Sequence, residues 1–385
     1  MTHAICSASS SDMWLHCPPS ARKNAERPDS GSNYAEEGSQ AHALCEHKLR
    51  RMLGQPSNDP SKTLTYFTAE MEQSADDYVT FVLEQIEVAR ETCPDPYVAV
   101  EQRVDFSDYV QEAFGTADCI VVGEPIIRVI DLKYGAGVAV SAEENSQLKL
   151  YALGALAAYG TLFDIDKVVL SIVQPRRDNI STFEVSTDDL YRWAGEVLKP
   201  AADLAFKGEG EYSSGSWCKF CRVKAECRTR AEYAMELAKL DFKRPPMLED
   251  DEVEYVLEHI DELISWANDI KDYALGAAIG GKRWYGWKLV EGRSNRCYTS
   301  ETTVAAAVAE TGYDPYEHTI ISVTAMEKLL GKRKFAEILG SMVMKPRGKP
   351  VLVPETDKRP EINTAAIDFA EPIENGGNHN GKQSE

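Results

Sequence analysis

The sequence predicts a mixed α/β protein, with a central mixed sheet flanked by helices and a smaller, mostly helical region after it. Three observations predict this fold class. Apolar runs with the length and composition of strands fall between residues 97 and 175. Runs with helical spacing precede and interrupt them. The resulting order of helix, three strands, helix and strand is typical of layered α/β proteins.

The helices ahead of the strands are predicted at residues 34–54 and 68–91. In both segments, apolar side chains recur every three or four positions and so share one helix face. In the first segment these are Ala41, Leu44, Cys45 and Leu49, with Gly54 as a stop signal.

The strands follow in a compact block. Residues 97–106, "YVAVEQRVDF", form the first, and residues 114–137, "FGTADCIVVGEPIIRVIDLKYGAG", form a hairpin whose turn is "GEP". A buried helix rich in Leu and Ala is predicted at 144–159, and a further strand at 167–175.

The length of 385 residues favours two domains with tails. We predict a first domain at residues 1–240 and a mostly helical accessory domain at 241–345. Residues 346–385 are rich in Pro, Gly and Asn and are predicted to be a largely disordered tail.

Composition and net charge argue against several classes of protein. The formal net charge of −20 argues against broad, non-specific binding of nucleic acid, although a local basic groove is compatible with it. Without a long apolar run or a signal peptide, we expect a cytoplasmic protein with no membrane contact. The nine cysteines then favour reduced thiols or metal ligands over disulfides.

The predicted hairpin carries charges that are costly to bury. If Asp118 and Asp131 lie on neighbouring strands, their carboxylates can converge on a hard cation. Lys133, two residues after Asp131, shares its strand face and could orient a water or neutralise charge on a phosphate. The alternative is a hairpin with its charges at the sheet edge, which the Asp-x-Lys tripeptide alone would favour.

Two helices offer further candidates. His42, in "EEGSQAH", could supply an imidazole as a third metal ligand, although a lone helical histidine is more often an ordinary surface or core residue. Gln147 and Tyr151 are four residues apart and share a helix face. Both could bond phosphate, whereas a tyrosine that caps a core is the simpler explanation.

Taken in order, "GSQAH", "GTAD", "DLK" and "QLKLY" resemble the RecB-type branch of the PD-(D/E)xK nuclease superfamily, over residues 5 to 230. The resemblance implies a restriction-endonuclease-like sheet. It implies that His42, Asp118 and Asp131 bind Mg²⁺ or Mn²⁺, and that Lys133 acts in catalysis with the two aspartates.

The same resemblance implies that Gln147 and Tyr151 support the site and contact DNA. Glu37 and Glu101 are further acidic candidates.

The cysteines form a second pattern. Cys218, Cys221 and Cys227 are separated by gaps of two and five residues, and Cys17 is the best candidate for a fourth ligand. A set of thiolates favours a soft-metal site, either iron–sulfur or zinc. Cysteines that fill a core are the third interpretation.

This cysteine pattern is similar to the iron–sulfur staple of CRISPR-associated RecB-type exonucleases and AddB-type helicase-nucleases. The resemblance implies a [4Fe-4S] cluster that ties the N-terminus to the end of the nuclease domain, and it favours iron–sulfur over zinc. The chain as a whole resembles an uncharacterised family of bacteriophage and prophage proteins, which implies the cytoplasm of a bacterial host.

Three functions are compatible with these patterns. The first is a metal-dependent DNA nuclease, an exonuclease acting on duplex ends or single strands, in phage recombination or replication and alongside proteins of those processes. The second is a non-catalytic DNA-end-binding recombination accessory protein with the same fold and cluster, which the acidic balance slightly favours. The third is a zinc-stapled phage protein with no role on nucleic acid.

Overall fold

The computed structural model describes residues 4–28, 31, 33–238, 250–291, 300–310, 316, 320 and 323–344. The chain divides into two compact units, Met1–Glu291 and Gly292–Glu385. The predicted boundary at residue 240 therefore falls inside the first unit. The predicted disordered tail, 346–385, lies outside the described residues.

A five-stranded mixed sheet forms the centre of the first unit. Its strands are β1 (Tyr97–Asp105), β2 (Phe114–Gly123), β3 (Ile126–Leu132), β4 (Lys167–Gln174) and β5 (Asn179–Ser186). They lie side by side in chain order. Neighbouring strands are antiparallel except β3 and β4, which are parallel because a helix connects them.

Twelve α-helices occur in the described residues. In the first unit they are α1 (Ser11–His16), α2 (Ser20–Ala25), α3 (Asn33–Met52), α4 (Ala69–Arg90), α5 (Ser146–Tyr159), α6 (Thr187–Trp193), α7 (Lys199–Lys207), α8 (Arg228–Ala238) and α9 (Asp250–Ile279). In the second unit they are α10 (Glu301–Ala309), α11 (Val323–Leu330) and α12 (Lys332–Leu339).

One face of the sheet packs against α5, the crossover helix between β3 and β4. Asn145 caps this helix, because its Oδ1 accepts a hydrogen bond from the Leu148 backbone at 3.1 Å. Nine successive residues of α5, from Leu148 to Leu156, are buried, so the helix is covered all round. Its outer side is covered by the N-terminal segment and α6, which complete this core.

The opposite face of the sheet packs against α3 and α4. These helices bury the apolar stripes that their spacing predicts, including Leu44, Leu49, Tyr78 and Val82. Thr68 begins α4 by accepting a hydrogen bond from the Met71 backbone at 3.1 Å. The sheet is thus the middle layer of three.

The predicted fold class is confirmed, and α3, α4, β1, α5 and β4 lie within two residues of their predicted bounds. The hairpin of β2 and β3 ends at Leu132, five residues before its predicted end, and α1 and α2 were not predicted. The fifth strand was not predicted. It lies at the sheet edge, where Ile180 is 56% exposed, so its apolar residues do not form the run that marks a buried strand. Among the described helices, none is both long and apolar enough to cross a bilayer.

The close approach of α5 to β1 depends on Gly154. A Cβ atom at this position would lie 2.7 Å from the Cβ of Val104 and 3.1 Å from the carbonyl oxygen of Asp105. We therefore expect Gly154→Leu to lower the free energy of unfolding by about 1–3 kcal/mol, as overpacking does. Urea denaturation measures this change. The matched control is Ala157→Leu, at an exposed position of the same helix, and an equal loss there would contradict the explanation.

Candidate metal centre

The candidate centre begins where the sheet ladder is interrupted. On β1 and β2, Val100 pairs with Cys119 and Gln102 pairs with Ala117, whereas Glu101 and Asp118 between them do not pair. Glu101 has a φ of +49°, in the left-handed region that a glutamate rarely adopts. The sheet thus holds strained backbone where two carboxylates face each other.

The same interruption shifts the inside–outside alternation of both strands. Ala117 packs in the core beneath α5, but Cys119, two residues later, packs in the core beneath α3 and α4. Val100 and Val104 on β1 are divided between the two cores in the same way. A regular strand would place each pair on one face. This shift allows Asp118 to line a cavity on the α3 side.

Helix α3 brings His42 to that cavity. Its Nδ1 atom lies 3.1 Å from Oδ1 of Asp118. His42, Glu101 and Asp118 each offer a ligand atom, and these atoms all lie within 4.8 Å of one another. The second oxygen of Asp118, Oδ2, accepts a hydrogen bond of 2.7 Å from the backbone of Leu132. The carboxylate is therefore fixed by β3 while it faces the imidazole.

Electrostatics in this group favour bound protons when no cation is present. Burial lowers the pKa of His42, but the negative charges of Asp118, Asp131 and Glu101 outweigh it and raise that pKa to about 9. Burial and then the charge of Asp118 raise the pKa of Glu101 to about 7. A divalent cation would compete with these protons for the same atoms.

A second polar group lies next to the first, towards α5. The Nζ atom of Lys133 is 2.8 Å from Oδ2 of Asp131 and donates a hydrogen bond of 2.9 Å to Oε1 of Gln147. The amide nitrogen of Gln147 donates to Oδ1 of Asp131 at 3.3 Å and to the hydroxyl of Tyr151 at 3.0 Å. The helix α5 thereby fixes the orientation of both charged side chains.

Lys133 carries a positive charge in this arrangement. Burial lowers its pKa, but the negative charge of Asp131 outweighs that effect, and the net pKa is raised. Oδ2 of Asp131 is buried, and its contact with Lys133 is an ion pair whose angles are not those of a hydrogen bond. Among the described residues it has no hydrogen-bond partner, so lone pairs of this oxygen remain available.

The residues predicted from the sequence thus lie in two adjacent groups. His42 and Asp118 form the first together with Glu101. Asp131, Lys133, Gln147 and Tyr151 form the second. Continuing the register of β2 and β3 by one step would set Asp118 opposite Asp131. Burial raises the pKa of Asp131, the charge of Lys133 lowers it, and the charge of Asp118 raises it, so that the net pKa is raised. Glu37 lies apart and pairs with Arg176 at 3.3 Å.

Glu101 is the residue whose importance the sequence pattern understated. It lies within an apolar strand run, and its carboxyl group meets Asp118 only because β1 is distorted at this position. The available signal was a charged residue inside "YVAVEQRVDF", a strand that is otherwise suited to burial.

The donor set fits a divalent cation. One imidazole and two carboxylates are the ligands that manganese and related ions take in proteins, and oxygen ligands suit magnesium. The cluster, the strained backbone at Glu101 and Oδ2 of Asp131, which has no hydrogen-bond partner among the described residues, all occur within one region of the sheet. We therefore treat the first group as the candidate cation site, with Asp131 beside it.

The four predicted cysteine ligands lie in two segments that are bound together. Ser213 donates a hydrogen bond of 2.5 Å to the carbonyl of His16, and the rings of His16 and Trp217 stack at 4.3 Å. Asn24 accepts a hydrogen bond of 2.6 Å from the backbone of Arg222. These contacts hold the start of the chain, with Cys17, against residues 213–222.

The thiols influence one another electrostatically. Burial raises the pKa of Cys17, backbone hydrogen bonds at Ser213 and Ser20 oppose this, and Cys218 and Cys221 then raise it further. Cys221 receives a hydrogen bond of 3.5 Å from Nδ2 of Asn24. Hydrogen bonds to sulfur are typical of thiolate metal sites.

The spacing of the thiols bears on the kind of metal. A tetrahedral zinc site, with Zn–S bonds of about 2.3 Å, needs sulfur atoms about 3.8 Å apart. In the described part of the chain, no three of these thiols have sulfur atoms within 4.8 Å of one another. The four free cysteines therefore do not lie in the arrangement of a closed zinc site.

The fold and these groups define a mixed α/β protein with a candidate cation site on its central sheet. The chain belongs to the family described as "Protein of unknown function (DUF2800)", whose model matches residues 3–360. Among solved structures, the chain is similar to one titled "Crystal structure of SSO0001", with 16% sequence identity and a TM-score of 0.22. The match covers 48% of this chain and 95% of that chain.

The strain at Glu101 gives a test of the candidate site. Asparagine tolerates positive φ, so we expect Glu101→Asn to raise the free energy of unfolding of the cation-free protein by about 1 kcal/mol. Because it removes a ligand carboxylate, it should weaken Mn²⁺ binding about tenfold or more. Chemical denaturation and isothermal titration calorimetry measure the two effects.

Glu112 provides the matched control for this substitution. It also has a positive φ, of +57°, but does not belong to the cation group. Glu112→Asn should stabilise the protein without changing Mn²⁺ affinity. Unchanged Mn²⁺ binding by Glu101→Asn would show that Glu101 is not a ligand.

Proposed function

We propose that the protein is a Mg²⁺- or Mn²⁺-dependent deoxyribonuclease that hydrolyses phosphodiester bonds, an exonuclease of phage recombination or replication. The observation that carries the proposal is the adjacency of two groups. A set of three cation ligands lies beside a charged lysine held by an aspartate and a glutamine. The ordered motifs of the RecB-type nucleases supply the choice of DNA as substrate.

His42, Glu101 and Asp118 would hold the cation, with Asp131 beside them. When bound, the cation lowers the pKa of a water and polarises a phosphoryl oxygen. The protein's own contribution is positional. The Leu132 backbone fixes Asp118, and Gln147 fixes both Asp131 and Lys133, so these groups require little reorganisation during the reaction.

Lys133 has an electrostatic role in this proposal. Its raised pKa keeps the ammonium protonated at neutral pH, so it cannot act as a general base there. A fixed positive charge instead stabilises the negative charge that develops on a scissile phosphate, and its N–H groups can orient the attacking water. Tyr151 supports this role through Gln147.

The nuclease proposal is tested with the full chain on end-labelled single-stranded and duplex DNA, with Mn²⁺ or Mg²⁺. We expect cleavage by the wild-type protein and a loss of about 100-fold or more in Lys133→Ala, because a preorganised charge is removed. Lys167→Ala is the control, since Lys167 pairs with Glu184 at 2.7 Å on the sheet surface. Product sizing on denaturing gels distinguishes exonuclease from endonuclease action.

Two outcomes would contradict the proposal. Intact DNA under every condition, with protein shown to have bound Mn²⁺, would exclude a nuclease acting on these substrates. Cleavage that Lys133→Ala retains would place the activity elsewhere. Equal DNA binding by wild-type and variant protein, without cleavage by either, would instead support a DNA-end-binding accessory protein.

We further propose that Cys17, Cys218, Cys221 and Cys227 hold a [4Fe-4S] cluster. The hydrogen bonds at Cys17 and Cys221 fit a site of metal-bound thiolates, and the resemblance to iron–sulfur nucleases supplies the choice over zinc. Such a cluster would close a loop of about 200 residues between α1 and the segment before α8, and so would restrict the unfolded chain. Its role would be structural.

Anaerobically purified protein tests the cluster. We expect the wild-type protein to absorb broadly at about 400 nm. The Cys221→Ser variant should lack this absorption and unfold at a lower thermal midpoint, because cluster binding is coupled to folding. Cys93→Ser, at a partly exposed thiol outside the group, should change neither property. A colourless wild-type protein that contains stoichiometric zinc would contradict the iron–sulfur assignment.

A further inference from the structure

Tyr78 on α4 ends in a buried hydroxyl group that has no hydrogen-bond partner within the described residues. The residue is only 2% exposed, so solvent does not supply a partner either. An unpaired buried hydroxyl costs about 1–3 kcal/mol. Few such groups persist in native proteins, and each calls for an explanation, such as a catalytic role or a missing ion.

The position of this hydroxyl suggests its partner. Tyr78 lines the same cavity as His42, Glu101 and Asp118. Burial, then the neighbouring Cys119 thiol and the charge of Asp118, raise the pKa of Tyr78 well above its usual range. The phenol is thus neutral and can donate a hydrogen bond. Of the carboxylates that line the cavity, Asp118 is the one whose charge acts most strongly on Tyr78, so it is the acceptor that we consider.

Packing alone does not account for the hydroxyl. The rest of the cavity wall near Tyr78 includes Leu49, Val100 and Leu132, against which a phenylalanine ring would pack as well. A tyrosine hydroxyl that serves only the core would be expected to have a fixed partner. The hydroxyl of Tyr78 is instead a hydrogen-bond donor without an acceptor among the described residues of the cation-free protein.

The hydrogen bonds of Asp118 would change if a cation were bound. In the cation-free protein, Oδ1 of Asp118 contacts His42 and Oδ2 accepts from Leu132. A cation held by both His42 and Asp118 would replace their direct contact. Asp118 would then have capacity for another donor, because each carboxylate oxygen has two lone pairs.

We propose that Tyr78 is a positioning residue of the cation site, whose hydroxyl donates a hydrogen bond to the carboxylate of Asp118 when a divalent cation is bound. This inference rests on the proposed function, since it requires that cation site. Groups that hold a metal ligand in this way commonly contribute tenfold or more to metal affinity. Tyr78 contacts neither substrate nor cation in this scheme.

The test compares Tyr78→Phe with the wild-type full-length protein. Mn²⁺ affinity is measured by isothermal titration calorimetry, and the thermal midpoint of the cation-free protein is measured with a chelator present. We expect Tyr78→Phe to weaken Mn²⁺ binding about tenfold. We expect its cation-free thermal midpoint to be equal or higher, because the variant removes a polar group that has no partner.

Two controls accompany this comparison. Tyr109→Phe removes a hydroxyl from a partly buried tyrosine that packs in the other core, beneath α5, and should leave Mn²⁺ affinity unchanged. Asp118→Asn removes a ligand and should abolish Mn²⁺ binding at the site. Together, the two controls distinguish the effect of losing the whole cation site from the effect of losing one hydrogen bond.

The possible outcomes distinguish a failure of this inference from a failure of the proposed function. Wild-type protein that binds no Mn²⁺, or whose binding survives Asp118→Asn, would overturn both. Wild-type binding that depends on Asp118 but is equal in Tyr78→Phe would overturn only the role of Tyr78. A lower cation-free midpoint in Tyr78→Phe, or a failure to fold, would do the same, because the hydroxyl would then serve the fold itself.

Discussion

The placement of three carboxyl groups on neighbouring strands, one of them buried and two half-buried, is the constraint on which this structure depends. Glu101, Asp118 and Asp131 lie across β1, β2 and β3, where apolar side chains would otherwise complete the sheet. Charges in such surroundings are expensive unless they are paired. His42 from α3 and Lys133, directly after β3, supply partners, and the left-handed backbone at Glu101 is the local cost of the arrangement.

Both faces of the sheet contribute to the centre. The α3 face supplies His42, whereas the α5 face supplies Gln147 and Tyr151. The α5 contribution requires a glycine on β2, because a Cβ atom at Gly115 would lie 2.5 Å from Cε1 of Tyr151. The "GTAD" segment therefore carries two linked features: an aspartate that faces α3, and a glycine that admits the tyrosine of α5.

Much of this architecture could be predicted from the sequence, because apolar periodicity reports which residues are buried. The order of α3 through β4 followed from it. Two features did not. Edge strand β5 is half exposed and has no continuous apolar run. Glu101 groups with His42, whereas Asp131 groups with Lys133. This division depends on a break in the register of β1 and β2, which the spacing of residues along one strand does not reveal.

The central claim is that His42, Glu101 and Asp118 form one cation site. The most direct measurement is anomalous diffraction at the manganese edge from crystals of the protein grown with Mn²⁺. The account predicts one strong anomalous peak within bonding distance of all three side chains, at about 2.0–2.3 Å. Crystals that contain Mn²⁺ elsewhere, with His42 still in direct contact with Asp118, would contradict it.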